Sequence, residues 1–546
     1  MSRNKTPAAL TYPKTSLYEA VRAAGEQIPA AVAYEYMGSA CSYEKFLRQA
    51  DQTAAAFAAL GVAKGQSVTL CLPNCPQAVE CFYGLNRLGA VANIVHPLSA
   101  PEEICFALNL SNSSVIVTAD RMYEAVRQAV EQTGRSVTVV VTSMADRLPR
   151  YKRIFCRSRP SRGLGWKAFL EKGQGRALSG PVGSAPDPAA ILYSGGTTGK
   201  TKGILLNNGN LNALAVQTVA AAGFGPIRGL RMLSAMPMFH GFGLGIGIHT
   251  ALLGGAACIL VPRIRPDRYG KLLLQKRPNL VPGVPTLFEH LLRAKLPPRS
   301  NLGFLKGVFC GGDALSEDLR QRVDSFLADH GARVRIRQGY GLTECVTASC
   351  LVPPEGAPAG SVGLPFADMA YEIRRPGTGE PLPVGTEGEI CISGPTVMAG
   401  YVEDPQATAE TLHRDPDGGV WLRTGDLGRV DEKGFVYFSG RIKRMIVTSG
   451  YNVYPAQVEA VLEAQDLVER ACVIGVPDAC RVERVKAFVV LRQGAEPSEP
   501  VRRTLLDHCR ARLSAYAVPR EIEFRRELPR TKVGKVDYRR LEQHGS

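Results

Sequence analysis

The chain has 546 residues, a mass of 58.8 kDa and a formal net charge of +16. This length exceeds one ordinary hydrophobic core and predicts several packed units, and 45% apolar with 21% charged residues excludes a disordered, collagen-like or mainly membrane-embedded chain. The excess of positive charge predicts an anionic partner of one of three kinds: nucleic acid, a lipid surface or a phosphorylated small molecule.

Short apolar runs alternate with helical segments in the first part of the chain. The apolar runs predict strands at 67–72, 90–95, 114–118 and 137–141. Helices are predicted between them at 78–88 and 122–132. Strands separated by helices of this length imply parallel sheets with right-handed crossovers. We therefore expect an α/β fold.

The cysteines and the most apolar stretch carry information about the compartment. Fourteen cysteines are scattered along the chain without metal-ligand spacing, so we expect buried free thiols. The first residues lack the apolar core of a signal peptide, which predicts a cytoplasmic protein. The uncharged stretch 232–262 contains Pro237, two histidines and many glycines, and so predicts a buried strand, loop and helix rather than a membrane-spanning helix.

The pattern changes twice toward the C-terminus. Strand-like runs at 387–392 and 434–438 lie between Gly, Pro and Asp turns, which predicts a small, mostly antiparallel β unit over about 360–440. About 100 residues remain after it, enough for a small α+β domain. We predict an N-terminal domain over residues 1–440 and a C-terminal domain over residues 441–546.

A glycine-rich loop after an apolar strand is the most informative stretch. Residues 194–203 contain four glycines, four hydroxyl side chains and two lysines. Glycines let backbone N–H groups turn toward an anion, and the hydroxyl and ammonium groups add donors, so the loop predicts a polyphosphate site. A Walker P-loop is excluded because its first glycine would stand at Ser194 and because the residues after the loop are strand-like rather than helical.

This loop resembles the signature of the adenylate-forming superfamily, which includes acyl-CoA synthetases, luciferases and non-ribosomal adenylation domains. Ser194 replaces the usual first Thr, Gly195 the usual Ser and Thr201 the usual Pro. Segments that resemble the other motifs of the superfamily follow in order at 237–243, 283–286, 310–316, 338–344, 424–426, 440–443 and 528–535. The resemblance implies a large N-terminal domain of parallel αβα-type sheets with a small β unit, followed by a small, mobile α+β domain.

The resemblance also implies two reactions at one site. A carboxylic acid and ATP form acyl-AMP and pyrophosphate, and a thiol then forms a thioester and releases AMP. The implied cofactors and cosubstrates are ATP, Mg²⁺ and CoA. The first step needs positioned cations and donors rather than a nucleophilic side chain, because its difficulties are repulsion between anions and charge developing on the α-phosphate.

The matching positions imply a role for each site residue. Lys535 would be the catalytic cation, Thr343 a donor to the α-phosphate and Glu344 a ligand of Mg²⁺. Asp426 fits the ribose diol and Tyr340 fits stacking on adenine. Further nucleotide-binding positions are Ser194, Gly195, Gly196, Thr197, Thr198, Gly199, Lys202, Gly311, Gly312, Gly341 and Arg441. A hinge at 441–444 and the pantetheine tunnel of CoA would include Lys443, Ser449, Gly450 and Tyr451.

The acyl site is expected around His240, which would gate the site or orient the carboxylate. Members that activate amino acids commonly place an Asp after the aromatic residue of this segment. Here glycines and apolar residues follow, and a buried ammonium without a partner is costly, so an amino acid is disfavoured. Glycines at 241, 243 and 245 are expected to leave room for a long chain. We expect a medium- or long-chain fatty acid, with an aryl acid as one alternative and a carrier-protein thiol in place of CoA as another.

A basic segment at 147–167 holds eight Lys or Arg residues and no acid. Nucleic-acid binding would need such charges interleaved with aromatic residues, and only this stretch approaches that pattern. A solvated loop is one interpretation, and peripheral contact with an anionic lipid surface is another, because Leu, Tyr, Ile and Phe are mixed with the charges. We expect no nucleic-acid partner.

Overall fold

The computed structural model describes residues 10–149, 151, 162–180, 182–195, 201–294, 296–415, 418–448, 451–478, 482–531 and 535–544. The α-helices in these ranges are α1 Leu17–Glu26, α2 Tyr43–Ala59, α3 Pro76–Arg87, α4 Pro101–Leu110, α5 Tyr123–Thr133, α6 Trp166–Lys172, α7 Asn208–Ala222, α8 Ala251–Leu253, α9 Tyr269–Lys276, α10 Pro285–Leu292, α11 Glu317–Asp329, α12 Pro405–Thr411, α13 Pro455–Glu463, α14 Glu499–Arg510 and α15 Tyr538–His544. A π-helix, Phe242–Thr250, leads into α8.

The strands fall into three sheets. Those of the first half are β1 Val32–Tyr36, β2 Ser39–Ser42, β3 Ser67–Cys71, β4 Val91–Ile94, β5 Val115–Ala119, β6 Thr138–Thr142, β7 Leu164–Gly165, β8 Pro188–Gly195, β9 Thr201–Asn207, β10 Arg231–Ser234, β11 Ala257–Leu260, β12 Leu280–Gly283, β13 Gly307–Cys310 and β14 Ile336–Tyr340. Those that follow are β15 Cys350–Leu351, β16 Ser361–Pro365, β17 Ala370–Arg374, β18 Gly388–Ser393, β19 Gly400–Tyr401, β20 Leu412–Arg414, β21 Val420–Val430, β22 Val436–Arg441, β23 Ile446–Thr448, β24 Tyr451–Val453, β25 Val468–Asp478, β26 Val482–Leu491 and β27 Glu521–Phe524.

The first sheet has the order β19-β9-β8-β4-β3-β5-β6-β7. Its strands from β8 to β7 pair in parallel, and the helices between them provide the crossovers. Buried side chains fill both faces of β3, β4 and β5, as expected of parallel strands covered on two sides. The predicted alternation of strands and helices is confirmed here.

The second sheet runs in the order β17-β18-β21-β22-β16-β15-β14-β13-β12-β10-β11-β1-β2. From β14 to β1 its strands are parallel, and beyond β14 they are antiparallel. The antiparallel strands between residues 360 and 441 therefore extend this sheet at its edge, apart from β19, which joins the first sheet. This continuity follows from short pairings of β15 with β14 and with β16.

The third sheet lies in the C-terminal region, with the order β24-β23-β26-β25 and with β27 added in parallel to β26. A buried cluster from Ile446 to Ile522 packs against it, separately from the large cluster that joins both other sheets. The helix, two strands and helix expected there correspond to α13, β25, β26 and α14. The mixed α/β fold class is confirmed, whereas the boundary at 440 and the mobility of the second domain stay predictions.

The uncharged stretch 232–262 forms β10, the π-helix, α8 and β11, all largely buried. In the described part of the chain, no helix combines the length and the apolar character that crossing a bilayer demands. Every described cysteine is a free thiol, and all of these except Cys105 are buried. The stretch therefore builds the interior of the N-terminal region.

Candidate active site

A cavity of about 1150 Å³ lies where strands of the two large sheets end and the C-terminal region approaches them. The carboxyl end of β8 and the loops after β13 and β14 line it, at the edge where ligands bind in open α/β sheets. The C-terminal region adds Lys535 and the start of α15. The cavity thus collects residues that are separated by more than 300 positions in the chain.

The predicted phosphate loop connects β8 to β9. Ser194 lies opposite Lys202 in this antiparallel pair, and both line the cavity. The Lys202 ammonium lies 4.5 Å from the centroid of the Tyr401 ring, within the range of a cation–π contact. The predicted positions Gly196, Thr197, Thr198 and Gly199 lie outside the described residues, and the burial of Gly195 is not described. The hairpin therefore brings one hydroxyl and one cation to the cavity wall.

Glu344 stands on a 3₁₀ turn just after β14, next to the buried Thr343. Its Oε1 accepts a hydrogen bond from the Tyr401 hydroxyl at 3.0 Å and lies 3.5 Å from Ser194 Oγ. Mg²⁺ in nucleotide sites commonly takes one or two carboxylates together with substrate phosphates, and this oriented carboxylate fits such a ligand. Among the described residues, no group of three His, Cys, Asp or Glu side chains forms an all-protein metal site.

Tyr401 was missed by sequence reasoning, although it contacts two predicted site residues. It belongs to β19, which lies far from the loops in the chain and joins the edge of the first sheet beside β9. No motif spacing marks it, because its place depends on a pairing between distant strands.

Asp426 is fully buried and does not line the cavity. Its Oδ2 accepts from the Tyr340 hydroxyl at 2.6 Å, and its Oδ1 lies 2.8 Å from Arg441 Nε. Burial raises the pKa of Asp426 to about 6, although Arg441 and the Tyr340 hydrogen bond act in the opposite direction. Both residues that contact this carboxylate, Tyr340 and Arg441, line the cavity, and contact of Asp426 itself with a ribose diol stays a prediction.

The glycines predicted to lie beside the adenine are at the cavity wall, and their role toward the base stays a prediction. Gly311, Gly312 and Gly341 line the cavity beside Tyr340. Gly312 has a φ of +83°, a left-handed conformation that L side chains rarely adopt. The Tyr340 ring also packs against Phe438, with 5.8 Å between centroids. Stacking on adenine stays a prediction for this ring.

Lys535 and His240 both line the cavity, and the charge of Lys535 acts on His240. Lys535 is exposed to the cavity but withdrawn from bulk water, and this burial lowers its pKa, with Asp313 opposing the shift and Arg441 adding to it. Burial and the nearby Lys535 charge lower the pKa of His240 to about 4. His240 is therefore neutral at pH 7. Because its Nδ1 accepts from the Phe242 N–H at 3.2 Å, we assign the ring proton to Nε2.

An apolar part of the cavity extends from His240 between α7, the π-helix and the second sheet. This acyl branch is lined by Val219, Ala222, Met232, Ile246, Leu280 and Phe309. Leu280 pairs with Gly307, four residues before Gly311. At about 3.3 Å per residue, Leu280 therefore lies about 13 Å along the sheet from the level of Gly311.

Arg337 holds two walls of the acyl branch together. It donates to the carbonyl oxygens of Ala221 and Ala222, each at 2.7 Å, in the last turn of α7. Its guanidinium lies 5.6 Å from the centroid of the Phe309 ring. The sequence analysis missed Arg337, since it precedes the recognised motif and its partners lie about 115 residues away.

Gly241, Gly243 and Gly245 do not open the acyl branch, so that expectation was wrong. A Cβ on Gly241 would lie 1.6 Å from Val346 O, and one on Gly243 would lie 2.1 Å from Pro237 O. One on Gly245 would lie 2.5 Å from Leu214 Cδ2. These glycines allow close packing of protein against protein, and the room for a substrate comes from the gap between α7 and the sheet.

The predicted hinge has an arginine on each side. Arg441 is held by Asp426 in the N-terminal region. Arg444 forms an ion pair with Glu459 at 2.6 Å and belongs to the C-terminal packing. Lys443 lies exposed between them. Arg441 is thus bound to the N-terminal region and Arg444 to the C-terminal region. Rotation at 442–443 stays a prediction.

The predicted pantetheine residues are described only in part. Ser449 and Gly450 lie outside the described residues. Tyr451 is exposed and stacks on Tyr516, with 4.5 Å between ring centroids. Its role toward CoA stays a prediction.

The basic segment is tied to the protein at its first described residue. Arg147 forms an ion pair with the fully buried Glu80 and lies over the buried Trp166 ring at 5.7 Å. Arg147 is therefore neutralised inside the protein and does not add to a lipid-binding surface. Not all eight positive charges of the segment are thus available to bind lipid. Residues 150 and 152–161 lie outside the described part, so contact with a membrane stays a prediction.

Comparison with known proteins identifies the family. Residues 21–402 match the model for "AMP-binding enzyme", and residues 457–535 match "AMP-binding enzyme C-terminal domain". The chain is 32% identical to a long-chain-fatty-acid–CoA ligase of Bacillus subtilis, over 98% of this chain and 96% of that protein. It is also 32% identical to a feruloyl-CoA synthase of Amycolatopsis sp., over 93% and 94% respectively.

The fold is also similar to solved structures. A crystal structure of ATP-bound MatB from Rhodopseudomonas palustris superposes with a TM-score of 0.83 at 26% identity, over 97% of this chain and 98% of that one. The predicted resemblance is confirmed by the match over both regions. This protein belongs to the AMP-binding enzyme family.

Proposed function

We propose that this enzyme is an ATP-dependent acid–CoA ligase whose preferred acid is a medium- or long-chain fatty acid. The acid and ATP give acyl-AMP and pyrophosphate, and CoA then gives acyl-CoA and AMP. The observation that carries the proposal is the apolar branch between α7, the π-helix and the second sheet, in the same cavity as a neutral His240 and Lys535.

In the first step a carboxylate oxygen attacks the α-phosphorus, and the bond to pyrophosphate breaks. Lys535 balances charge between the two anions, and Thr343 donates to the α-phosphate. Lys202 lies near enough to the Glu344 side of the cavity to meet the leaving phosphates. Glu344 would hold Mg²⁺, which when bound neutralises phosphate charge.

His240 would act on the acid rather than on ATP. Its neutral ring carries the proton on Nε2 and can donate it in a hydrogen bond to the substrate carboxylate. A neutral donor orients the carboxylate without lowering its nucleophilicity as strongly as a second cation would. This assigns charge balance to Lys535 and orientation to His240.

In the second step the C-terminal region is proposed to turn about 442–443. This movement withdraws Lys535 and brings Tyr451 and its neighbours to the cavity. The CoA thiol releases its proton to solvent and its sulfur attacks the acyl carbonyl, and AMP leaves as the carbonyl–phosphate bond breaks. The exposure of Lys443 and the anchoring of Arg441 and Arg444 on opposite sides support a pivot here.

An aryl acid is the alternative substrate, favoured by the similarity to a feruloyl-CoA synthase and by Phe309 in the acyl branch. A single ring near His240 would leave the inner half of the branch without contacts, which lowers its affinity relative to a chain that fills it. The described residues of the acyl branch include no acidic side chain to pair with an amino acid's ammonium group.

The test is a pyrophosphate-release screen over acetate, medium- and long-chain fatty acids, benzoates and cinnamates, with and without CoA. We expect the highest kcat/KM with a medium- or long-chain acid and a matching acyl-CoA product. Preference for cinnamates would favour the aryl alternative. Pyrophosphate release without any CoA thioester would contradict CoA as acceptor and favour a carrier-protein thiol.

A further inference from the structure

Two consecutive residues of the C-terminal region, Glu469 and Arg470, bind one helix of the N-terminal region through crossed ion pairs. Arg470 Nη2 lies 2.6 Å from Glu289 Oε1, and Glu469 Oε1 lies 2.5 Å from Arg293 Nη2. Glu289 and Arg293 are four residues apart at the end of α10, so they share one face of that helix. Each region thus contributes one arginine and one glutamate, and each arginine pairs with the glutamate of the other region.

Neighbouring residues of a regular strand point to opposite faces, so this arrangement needs a local irregularity. The pairing of β25 with β26 shifts register between Val468 and Arg470, which is a bulge at Glu469. A bulge re-aims side chains at the point where it occurs. Here it lets Glu469 and Arg470 reach the same helix.

The two pairs differ in burial. The side chains of Arg470 and Glu289 are 18% and 16% exposed, whereas those of Arg293 and Glu469 are 62% and 39% exposed. Removing one partner of a mostly buried pair leaves an unpaired charge in a poorly solvated place, while an exposed pair contributes little. Arg470 and Glu289 therefore dominate, and Arg470 also lies 3.9 Å from Glu463 of its own region.

A third ion pair joins the two regions on the helix that follows the Asp313 loop. This pair joins Arg492 to Asp318 at 3.0 Å, on α11. Helix α11 follows the loop after β13 that carries Asp313, a carboxylate whose charge acts on both Lys535 and Arg470. The orientation that forms these pairs is thus the one that places Lys535 in the cavity.

We propose that Glu469 and Arg470, together with Glu289 and Arg293, form an interdomain clamp that holds the orientation required for acyl-AMP formation. The inference rests on the proposed two-step function. All three interdomain pairs must break when the C-terminal region turns. Because the pairs stabilise only the orientation of acyl-AMP formation, they shift the equilibrium toward it. Arg470 is a positioning residue, since it lies outside the cavity lining.

The test compares Arg470→Gln with wild type in three measurements: pyrophosphate formation from ATP and acid, acyl-CoA formation from supplied acyl-AMP, and tryptic cleavage after the exposed hinge residue Lys443. Pyrophosphate formation should fall roughly tenfold, within the usual range of coupling between states. Acyl-CoA formation should be unchanged or faster, and hinge cleavage should be faster. Arg470→Lys should recover part of the first rate.

Two controls separate the clamp from general damage. Arg510→Gln removes an exposed arginine that pairs with Asp507 inside the C-terminal region, and it should leave all three measurements unchanged. Arg470→Gln combined with Glu289→Gln should be no slower than Arg470→Gln alone, because the two residues act as one pair. A thermal melt of each variant checks folding.

Equal slowing of both half-reactions, or no change in either together with unchanged hinge cleavage, would overturn the clamp. If wild type forms no CoA thioester, the proposed second step fails, but pyrophosphate formation and hinge cleavage still decide the clamp. The two failures are therefore distinguishable.

Discussion

The Tyr340 hydroxyl donates a hydrogen bond of 2.6 Å to Asp426, whose carboxylate is fully buried beside Arg441. The hydrogen bond and the guanidinium favour the charged carboxylate, and burial disfavours it more strongly, so the pKa of Asp426 is raised to about 6. This carboxylate consequently loses its charge in mildly acidic solution. Protonation would release Arg441 at the edge of the nucleotide site.

We predict that kcat/KM for ATP in pyrophosphate formation falls as the pH drops through about 6. In Tyr340→Phe, the hydrogen bond that favours the charged form is lost, so the pKa of Asp426 rises and the acidic limb moves to higher pH. A pH profile of kcat/KM measures this, because it reports groups of the free enzyme. Tyr437→Phe is the control, since that hydroxyl binds Asp431 outside the cavity. Coincident limbs in Tyr340→Phe and wild type would contradict the assignment.

Lys535→Ala should abolish acyl-AMP formation and leave thioester formation from supplied acyl-AMP intact, because the lysine is withdrawn before the second step. The measurement is pyrophosphate release in one assay and acyl-CoA formation in the other. Lys306→Ala, an exposed lysine before β13, serves as the control and should affect neither. Normal pyrophosphate release by Lys535→Ala would remove this residue from the first step.

Val219→Phe should shorten the acyl branch and shift selectivity toward short acids, since the larger side chain occupies space between α7 and the sheet. We expect kcat/KM for a long-chain acid to fall at least tenfold relative to that for a short one, roughly the value of one methylene contact. Ala220→Phe, on the same helix but exposed, is the matched control. An unchanged chain-length profile would place the acyl chain elsewhere.

Gly245→Ala should destabilise the protein by roughly 1–3 kcal/mol, because its Cβ would overlap the buried Leu214 side chain. Gly247→Ala should be tolerated, since its nearest neighbours would lie at 3.7 Å and 3.9 Å. Denaturant unfolding measures both. Full stability of Gly245→Ala with a changed chain-length profile would instead return this glycine to the acyl site.

Glu344→Gln should raise the Mg²⁺ concentration that gives half-maximal pyrophosphate formation, because a neutral amide is a weaker ligand than a carboxylate. Tyr401→Phe keeps the carboxylate but removes the hydrogen bond that orients it, and it should give a smaller rise, on the order of tenfold or more for a supporting group. A Mg²⁺ titration at saturating ATP orders the variants. A larger effect of Tyr401→Phe would contradict this order.

Several elements follow from local sequence. Strands β3 to β6 read as apolar runs because both faces of a parallel strand are covered, and α13 and α14 have clear helical patterns. The join of the antiparallel strands to the second sheet could not be predicted, since it depends on two-residue pairings of β15. The π-helix could not be predicted either, because Gly243 and Gly245 suggest space where the tertiary packing leaves none.

The candidate site likewise contains residues that the sequence predicted and residues that it missed. Lys202, Glu344 and Lys535 stand in recognised motifs, because contacts with a fixed ligand demand particular residue types at particular spacings. Tyr401, Arg337 and the pair of Arg470 with Glu289 lie outside such spacing, since only strand pairing and domain contact bring them to their partners.

The sequence by itself determined the family, the α/β fold class and the type of chemistry, because short motifs carry the groups that bind phosphate and balance charge. Tertiary structure alone decided the depth of the acyl branch, the burial of Asp426 and the contacts between the two regions. These properties depend on which distant surfaces exclude water from one another, and burial of that kind sets both the shape of a cavity and the charge of the groups around it.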